Sequence, residues 1–322
     1  MKIAAYIGGL LGLSLLVAMA LRTDLPAMLQ TLQSAGWQVL WVIPYRGLYF
    51  LLYAAGWICL LRPYDRAGRA GIGYAFWVTS VREAVDRLLP VASVGGGVVG
   101  VRLMRWRGLD LASVSATVIM EIVLTLIVSY AFAAVGLLLL IDLPASGAPF
   151  HRLLLILLVS LPVPVLTVAL LRYGSVFKHL QKFLRPLVGA TAMSEEAASL
   201  DHELRACLGR WRSMLLAGSL QFLALVVGSF EVWFALRLFG HPVGAGTALI
   251  LESMTQTTRH LAFVVPASLG VQEATLVLFG HVLGVGTELA LAVSMVKRAR
   301  EVLCGLPSLA SWQWLEARRL KR

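Results

Sequence analysis

Charged side chains are scarce in this sequence. Asp, Glu, Lys and Arg together make up 14% of its 322 residues, roughly half of their usual share in soluble domains. Hydrophobic residues make up 59% and the mean hydropathy is +0.81, which excludes an ordinary soluble domain. Several apolar runs approach or exceed the roughly 20 residues that cross a bilayer as a helix. The composition therefore predicts an all-α, polytopic membrane protein.

Cysteine is also rare, and the signatures of common catalytic sites are missing. Cys59, Cys207 and Cys304 are far apart in the chain and lack the spacing of metal ligands. There is no Gly-x-Ser-x-Gly elbow, and the glycines at 95–97 follow no strand, so they do not indicate a phosphate-binding loop. We therefore expect no metal, no cofactor and no enzymatic activity.

Acidic residues are fewer than basic ones, 17 against 28, and the formal net charge is +11. A positive charge can indicate a nucleic-acid-binding protein, but here the basic residues gather in a few short stretches. These stretches include 62–70, 102–107 and the tail after 316. Such clusters are typical of cytoplasmic loops under the positive-inside rule. We therefore expect a membrane partner and no nucleic acid; the oligomeric state is left open.

Apolar runs and their interruptions divide the chain into five parts. These are a first helix with an external loop (1–35), a first membrane repeat (36–141), a connecting helix with a cytoplasmic amphipathic loop (142–211), a second membrane repeat (212–311) and a basic cytoplasmic tail (312–322). Six full spans are predicted at 3–21, 36–61, 111–141, 152–171, 213–239 and 289–311, with broken helical elements at 71–94 and 245–286.

The second broken element contains a Pro and a Gly within an apolar stretch, at Pro266 and Gly270. Pro stops a helix and Gly permits positive φ. Irregular backbone at membrane depth is tolerated only where it is buried in protein or lines a wet cavity. The stretch 263–273 thus indicates the floor of a site, although a short turn outside the membrane would have the same sequence features.

A degenerate copy of this stretch occurs earlier in the chain. Residues 82–95 and 259–270 both begin with Arg and continue to Pro, Ala-Ser, an aliphatic residue and Gly, and the two glycines, Gly95 and Gly270, are 175 residues apart. Basic stretches flank 71–94 on both sides, which favours a hairpin that enters from the cytoplasm and returns. The second copy would enter from outside, giving inverted repeats. If both elements cross fully, there are eight or more spans.

Ionisable and amide side chains within the apolar segments are the candidate site residues, because they are costly in lipid unless they are paired or used. The substrate-binding candidates are Arg46, Arg82, Glu83, Asp86, Arg87, Glu121, Glu252, Arg259, Gln272, Glu273, Lys297 and Arg298, and the hinge candidates are Pro90, Gly95, Pro266 and Gly270. Helical spacing predicts pairs between Arg82 and Asp86, between Glu83 and Arg87, and between Lys297 and Glu301.

The motif at 266–273 resembles that of the membrane region of lysylphosphatidylglycerol synthases, a flippase-like family with a Pro-Gly-Gly-x-Gly-x-x-Glu motif. Pro266, Gly270 and Glu273 match it, whereas Ala267 and Ser268 replace glycines. Gln272 stands where Arg is common, which weakens an inferred preference for anionic head groups. The patterns at 89–103 and 265–273 resemble the branch associated with hopanoid biosynthesis.

This resemblance implies a lipid-translocating module in a bacterial inner membrane, and for the branch it implies transport of hopanoid or a related polar lipid. The synthases carry a soluble aminoacyl-transferase domain after this region, which we do not expect here. Arg and Lys would hold a phosphate or the hydroxyls of a polyol. The alternatives are a scaffold or accessory subunit for lipid biosynthesis enzymes, and an intramembrane lipid-modifying enzyme.

Overall fold

The computed structural model describes residues 36–89, 95–141, 162, 166–169, 192–262, 265 and 268–320. Within these residues there is no strand, and a 3₁₀ turn at Gly36–Trp41 precedes the first α-helix. The helices are α1 (Val42–Leu61), α2 (Ile72–Leu88), α3 (Gly95–Arg105), α4 (Leu111–Ile141), α5 (Ala192–Gly209), α6 (Trp211–Leu238), α7 (Ala245–Leu261), α8 (Val271–Val282) and α9 (Thr287–Leu320). The all-α prediction is confirmed for this part of the chain.

Within the described residues, three helical segments are long and apolar enough to cross a membrane: Gly36–Leu61, Leu111–Leu140 and Trp211–Leu238. They correspond to three of the six predicted spans. The predicted span 289–311 lies in α9, where four charged residues within five positions interrupt the apolar sequence. The span 3–21 and most of 152–171 lie outside the described residues. The total of six spans therefore stays a prediction.

Helices α1–α4 and α6–α9 repeat the same order of long, short, shorter and long helices. Turns at matching positions support the comparison. Gly108 precedes α4 and Gly284 precedes α9, each with φ +75°, and Gly68 precedes α2 as Gly240 precedes α7, with φ +64° and +74°. Only glycine adopts these angles without strain. The two halves thus share turn geometry as well as sequence pattern.

Helices of the first half pack against helices of the second half. Helices α1 and α6 make the most extensive contact, while α2 lies against α9 and α7 lies against α4. Each short helix is therefore covered by the last long helix of the other half. One hydrophobic core surrounds Trp57 and Leu103 and includes Leu309 and Trp312 of α9 at its edge. A second core joins Leu137 of α4 to residues of α6–α9.

Basic stretches that are distant in sequence meet at one end of the molecule, which we call the basic end. Arg69 Nη1 donates to the carbonyl of Gly108 at 3.3 Å, and Arg319 Nη2 donates to the carbonyl of Trp106 at 3.3 Å. Arg210, just before α6, lies over the ring of Tyr64. Helix α2 therefore begins at the basic end and helix α3 ends there, so the open end of the α2–α3 hairpin lies at the basic end.

The α7–α8 hairpin opens at the opposite end. Helix α6 starts at the basic end and its 28 residues extend for about 42 Å, so α7 begins on the far side. Helix α9 finishes at the basic end and has 34 residues, so α8 also ends on the far side. Helix α9 continues to Leu320 and so includes most of the predicted basic tail at 312–322.

The two hairpin breaks coincide with the predicted interruptions. Gly95 is the first residue of α3, and Gly270 precedes α8 with φ +76°. Ser268, two residues before Gly270, has φ +51° without being glycine. Pro90 and Pro266, the other predicted hinge residues, lie outside the described residues.

Substitution of Gly136 by alanine tests the contact between α4 and α7. A Cβ at Gly136 would lie 2.9 Å from Cβ of Ser253 and closer still to its Oγ, whereas a Cβ at Gly47, also inside a helix, meets nothing within 4 Å. We expect Gly136→Ala to lower the free energy of unfolding by roughly 1–3 kcal/mol. Gly47→Ala should leave it unchanged or raise it slightly. Thermal unfolding in detergent measures both; equal melting temperatures would contradict this packing.

Candidate functional site

Helix α2 of the first half carries four charged residues within six positions, from Arg82 to Arg87. Glu83 accepts hydrogen bonds from Arg46 Nη2 of α1 at 2.5 Å and from Arg87 Nε at 3.1 Å. Arg46 is buried, and its guanidinium lies 3.8 Å from the centre of the Tyr49 ring. The predicted pair between Glu83 and Arg87 is confirmed, and Arg46 joins it from the neighbouring helix.

Glu301 of α9 joins the two halves. Its carboxylate lies 2.9 Å from Arg259 Nη2 of α7, 3.1 Å from Arg298 Nη1 and 3.9 Å from Arg87 Nε of α2. Its side chain is only 3% exposed, so solvent hardly screens these charges. One buried carboxylate thus holds the inner ends of both hairpins to the same point on α9.

Helix α8 extends the same set of contacts. Arg259 Nη1 donates to Gln272 Oε1 at 2.7 Å, and Gln272 Nε2 donates to Ser294 Oγ at 2.8 Å. Ser294 and Arg298 donate to Glu273 Oε1, each at 3.1 Å. Together these residues form what we call the central network, which consists of Arg46, Glu83, Arg87, Arg259, Gln272, Glu273, Ser294, Arg298 and Glu301.

The other candidate residues lie in separate pairs around this network. Arg82 Nη1 donates to Glu121 Oε2 of α4 at 2.6 Å, with its guanidinium over the Trp57 ring. Lys297 is paired with Glu252 of α7, which also accepts from Gln256 at 2.7 Å. These two pairs are charge-balanced within themselves, unlike the central network.

The Asp86 carboxylate accepts a backbone hydrogen bond and forms no ion pair with the described residues. Its Oδ1 accepts a hydrogen bond from the backbone N–H of Gly96 at 2.8 Å. This N–H belongs to the first turn of α3, where backbone donors have no partner within the helix. The side chain of α2 thereby caps α3 and closes the first hairpin.

Two pairs predicted from helical spacing are wrong. Arg82 is paired with Glu121 rather than with Asp86, and Lys297 is paired with Glu252 rather than with Glu301. In each case a carboxylate on a facing helix takes the cation. Neighbours along a helix gain little from pairing, so a buried partner across the interface determines the geometry.

Sequence reasoning missed the role of Glu301 and a buried pair between Arg300 Nε and Glu231 Oε1 at 2.7 Å. Helical spacing identifies Glu301 only as a neighbour of Lys297, and it does not identify Ser294. The available signal was the density of charge on α9, where Lys297, Arg298, Arg300 and Glu301 interrupt an otherwise apolar stretch.

Several buried polar atoms of the network have no hydrogen-bond partner among the described residues. They are Nε of Arg46, Nε of Arg259 and Oε2 of Glu273. Buried polar atoms are nearly always paired with protein or water. Two donors and one acceptor thus remain for water or for the polar part of a ligand.

A small cavity reaches the network between α1, α2 and α9. Glu83, Arg87, Arg300 and Glu301 supply its polar side, and its volume is about 10 Å³, which is about the space of one water molecule. Among the described residues no group of three His, Cys, Asp or Glu side chains could hold a metal ion. The cavity has room for a water-sized group, and its polar lining includes two guanidinium groups and two carboxylates.

Comparison with known proteins gives one result. The family model described as the lysylphosphatidylglycerol synthase TM region matches residues 5–307. No curated protein and no solved structure matches the chain. The match covers both helical hairpins and every residue of the central network.

Glu301 is the residue on which the network depends most. Glu301→Gln leaves three guanidinium groups without their common carboxylate, and breaking a buried pair in this way costs about 3–5 kcal/mol. Glu316→Gln is the matched control, because Glu316 is paired with the exposed Arg102 and such surface pairs contribute about 1 kcal/mol or less. Thermal unfolding in detergent compares the two; a loss for Glu301→Gln no larger than for the control would contradict this role.

Proposed function

Since this chain belongs to the family of the lysylphosphatidylglycerol synthase TM region, we propose that it translocates a polar lipid. In this proposal the central network binds the lipid head group while the acyl or polycyclic part stays in the bilayer. The protein acts as a transporter without chemical change of its substrate. The observation that carries the proposal is the buried network where the two hairpins meet.

The charge balance of the network supports a head-group site. Its ion-paired residues are four arginines (Arg46, Arg87, Arg259 and Arg298) and three glutamates (Glu83, Glu273 and Glu301). One positive charge is therefore in excess. Charges in a membrane are costly and are retained where they serve a substrate or ion. Guanidinium groups with free donors suit a phosphate or the hydroxyls of a polyol.

The arrangement of the two halves supports alternating access. We propose that α1–α4 and α6–α9 are inverted repeats, because one hairpin opens at the basic end and the other at the opposite end. In transporters built this way the substrate site lies near the midplane, at the interface between the repeats. The central network occupies the corresponding place, between the inner ends of α2 and α7.

We propose that the basic end faces the cytoplasm, in accordance with the positive-inside rule, in the inner membrane of a bacterium. A hopanoid with a polyol head group is the substrate implied by the branch-like motifs at 89–103 and 265–273. A phospholipid head group presents the same kind of acceptor atoms.

Reconstitution tests translocation directly. Protein is placed in liposomes with a lipid that has a native head group and a fluorescent label on its apolar part, and a membrane-impermeant quencher reports movement between leaflets. We expect wild type to accelerate this movement and Arg259→Ala or Glu273→Gln to slow it roughly tenfold or more, because each removes charge-assisted hydrogen bonds. Arg102→Gln, outside the network, should behave as wild type. Liposomes with wild type that match empty liposomes, for both phospholipid and hopanoid probes, would contradict the proposal.

The water-sized cavity implies that α2 and α9 separate during transport. A Cβ at Gly305 of α9 would lie 3.4 Å from Cβ of Ala84 of α2, which is close to the separation found in disulfides. It would also lie 2.6 Å from Cδ1 of Leu88, so the end of that flexible side chain must shift. We expect the Ala84→Cys, Gly305→Cys pair, in a chain whose native cysteines are replaced by serine, to be inactive when oxidised and active when reduced.

A second cysteine pair is the control for this experiment. A Cβ at Gly280 would lie 3.2 Å from Cβ of Ala290, so Gly280→Cys with Ala290→Cys joins α8 to α9 inside one half. Its oxidation should leave transport unchanged. Undiminished transport by the oxidised α2–α9 pair, with the cross-link verified by mass, would show that these helices do not need to separate.

A further inference from the structure

A second cavity lies at the basic end, away from the central network. Its volume is about 320 Å³, and it is lined by Tyr74, Trp106, Arg107, Leu315, Arg318 and Arg319. These residues come from the start of α2, the end of α3 with the following turn, and the end of α9. The cavity is much larger than the space beside the network, and its lining combines cationic, aromatic and apolar groups.

The three arginines of this cavity are held by aromatic rings. Arg107 lies 4.3 Å from the centre of the Tyr74 ring, Arg319 lies 4.3 Å from that of Trp106, and Arg318 lies 3.6 Å from that of Trp314. Stacking on a ring fixes the plane of a guanidinium but leaves its N–H groups, which point outward in that plane, free to donate. Arg319 uses one of them for the carbonyl of Trp106.

No carboxylate of the described residues pairs with Arg107, Arg318 or Arg319. The acidic residues in the adjoining segments have other partners. Asp65 accepts from the backbone N–H groups of Arg69 and Ala70, Asp110 accepts from Ser113, and Glu316 accepts from Arg102 and Trp312. The side chains of Arg107, Arg318 and Arg319 are exposed. The cavity thus brings three accessible positive charges together without a carboxylate partner among the described residues.

We propose that this cavity binds the phosphate group of an anionic glycerophospholipid in the leaflet at the basic end. The guanidinium edges would hold the phosphate oxygens, and Leu315 with the ring faces would contact the glycerol and the first methylene groups. Trp and Tyr are enriched at the depth of lipid head groups, which places the cavity beside the phosphates of the surrounding bilayer. The site is separate from the central network and does not rest on the proposed translocation.

Titration of the purified full chain in detergent, followed by native mass spectrometry, tests the site. The probes are dihexanoyl phosphatidic acid, dihexanoyl phosphatidylcholine as a lipid without net charge, and inorganic phosphate as a competitor. We expect phosphatidic acid to bind more tightly than phosphatidylcholine. The variant Arg107→Gln, Arg318→Gln, Arg319→Gln should weaken phosphatidic acid binding about tenfold or more, since each arginine supplies charge-assisted hydrogen bonds.

Arg212→Gln is the matched control, because Arg212 also stacks on a tryptophan, Trp211, at 5.4 Å but does not line the cavity. It should bind phosphatidic acid as wild type does. If the triple variant does not fold, Arg318→Gln alone should weaken binding about threefold, the scale of one exposed charge pair.

The outcomes separate the two sources of phosphate. Displacement of phosphatidic acid by inorganic phosphate at similar concentrations would support a phosphate site filled from solution and would overturn the lipid assignment. Displacement by short-chain anionic lipid only would support the lipid assignment. Equal binding of phosphatidic acid and phosphatidylcholine, or an unchanged affinity in the arginine variants, would overturn the site.

Discussion

The arrangement of the two halves depends on Glu301, whose single carboxylate faces three guanidinium groups. Arg87 comes from α2, Arg259 from α7 and Arg298 from the same helix as Glu301. Because the hairpins open at opposite ends of the molecule, a carboxylate that binds an arginine of each one fixes how far both extend inward. The remaining contacts of the network, from Arg46 to Glu273, build outward from this point.

Breaking a helix inside a hydrophobic protein leaves backbone groups that need partners, and the chain supplies them from side chains. Asp86 satisfies the N–H of Gly96 at the start of α3, and Arg298 Nη2 donates to the carbonyl of Ser268 at 3.1 Å, just before α8. Charged residues among the site candidates thus also bind backbone groups where the helices are interrupted. A change in the charge of the network would also alter the hairpin ends, which is a way to couple binding to movement.

Much of this architecture could be predicted because its signals are local. The scarcity of charge predicts helices in a membrane, and the repeated Pro, Ser and Gly pattern predicts the two breaks. Gly108 and Gly284 could be matched because a left-handed turn requires glycine at both places. The pairing of charges could not be predicted, because Arg82, Lys297 and Glu301 find partners on helices that sequence spacing does not place. The central position of Glu301 could not be predicted for the same reason, because it arises from tertiary contacts with three arginines.

The most direct test of lipid translocation is the location of lipids in cells that lack this protein. The membranes of the envelope are separated, and the lipids of each are profiled with and without the wild-type gene restored. Translocation predicts a polar lipid that is still synthesised but confined to the membrane or leaflet where it is made, and released from it when the gene returns. A lipid absent from every membrane, with its precursor accumulating, would contradict translocation and indicate a role in lipid synthesis.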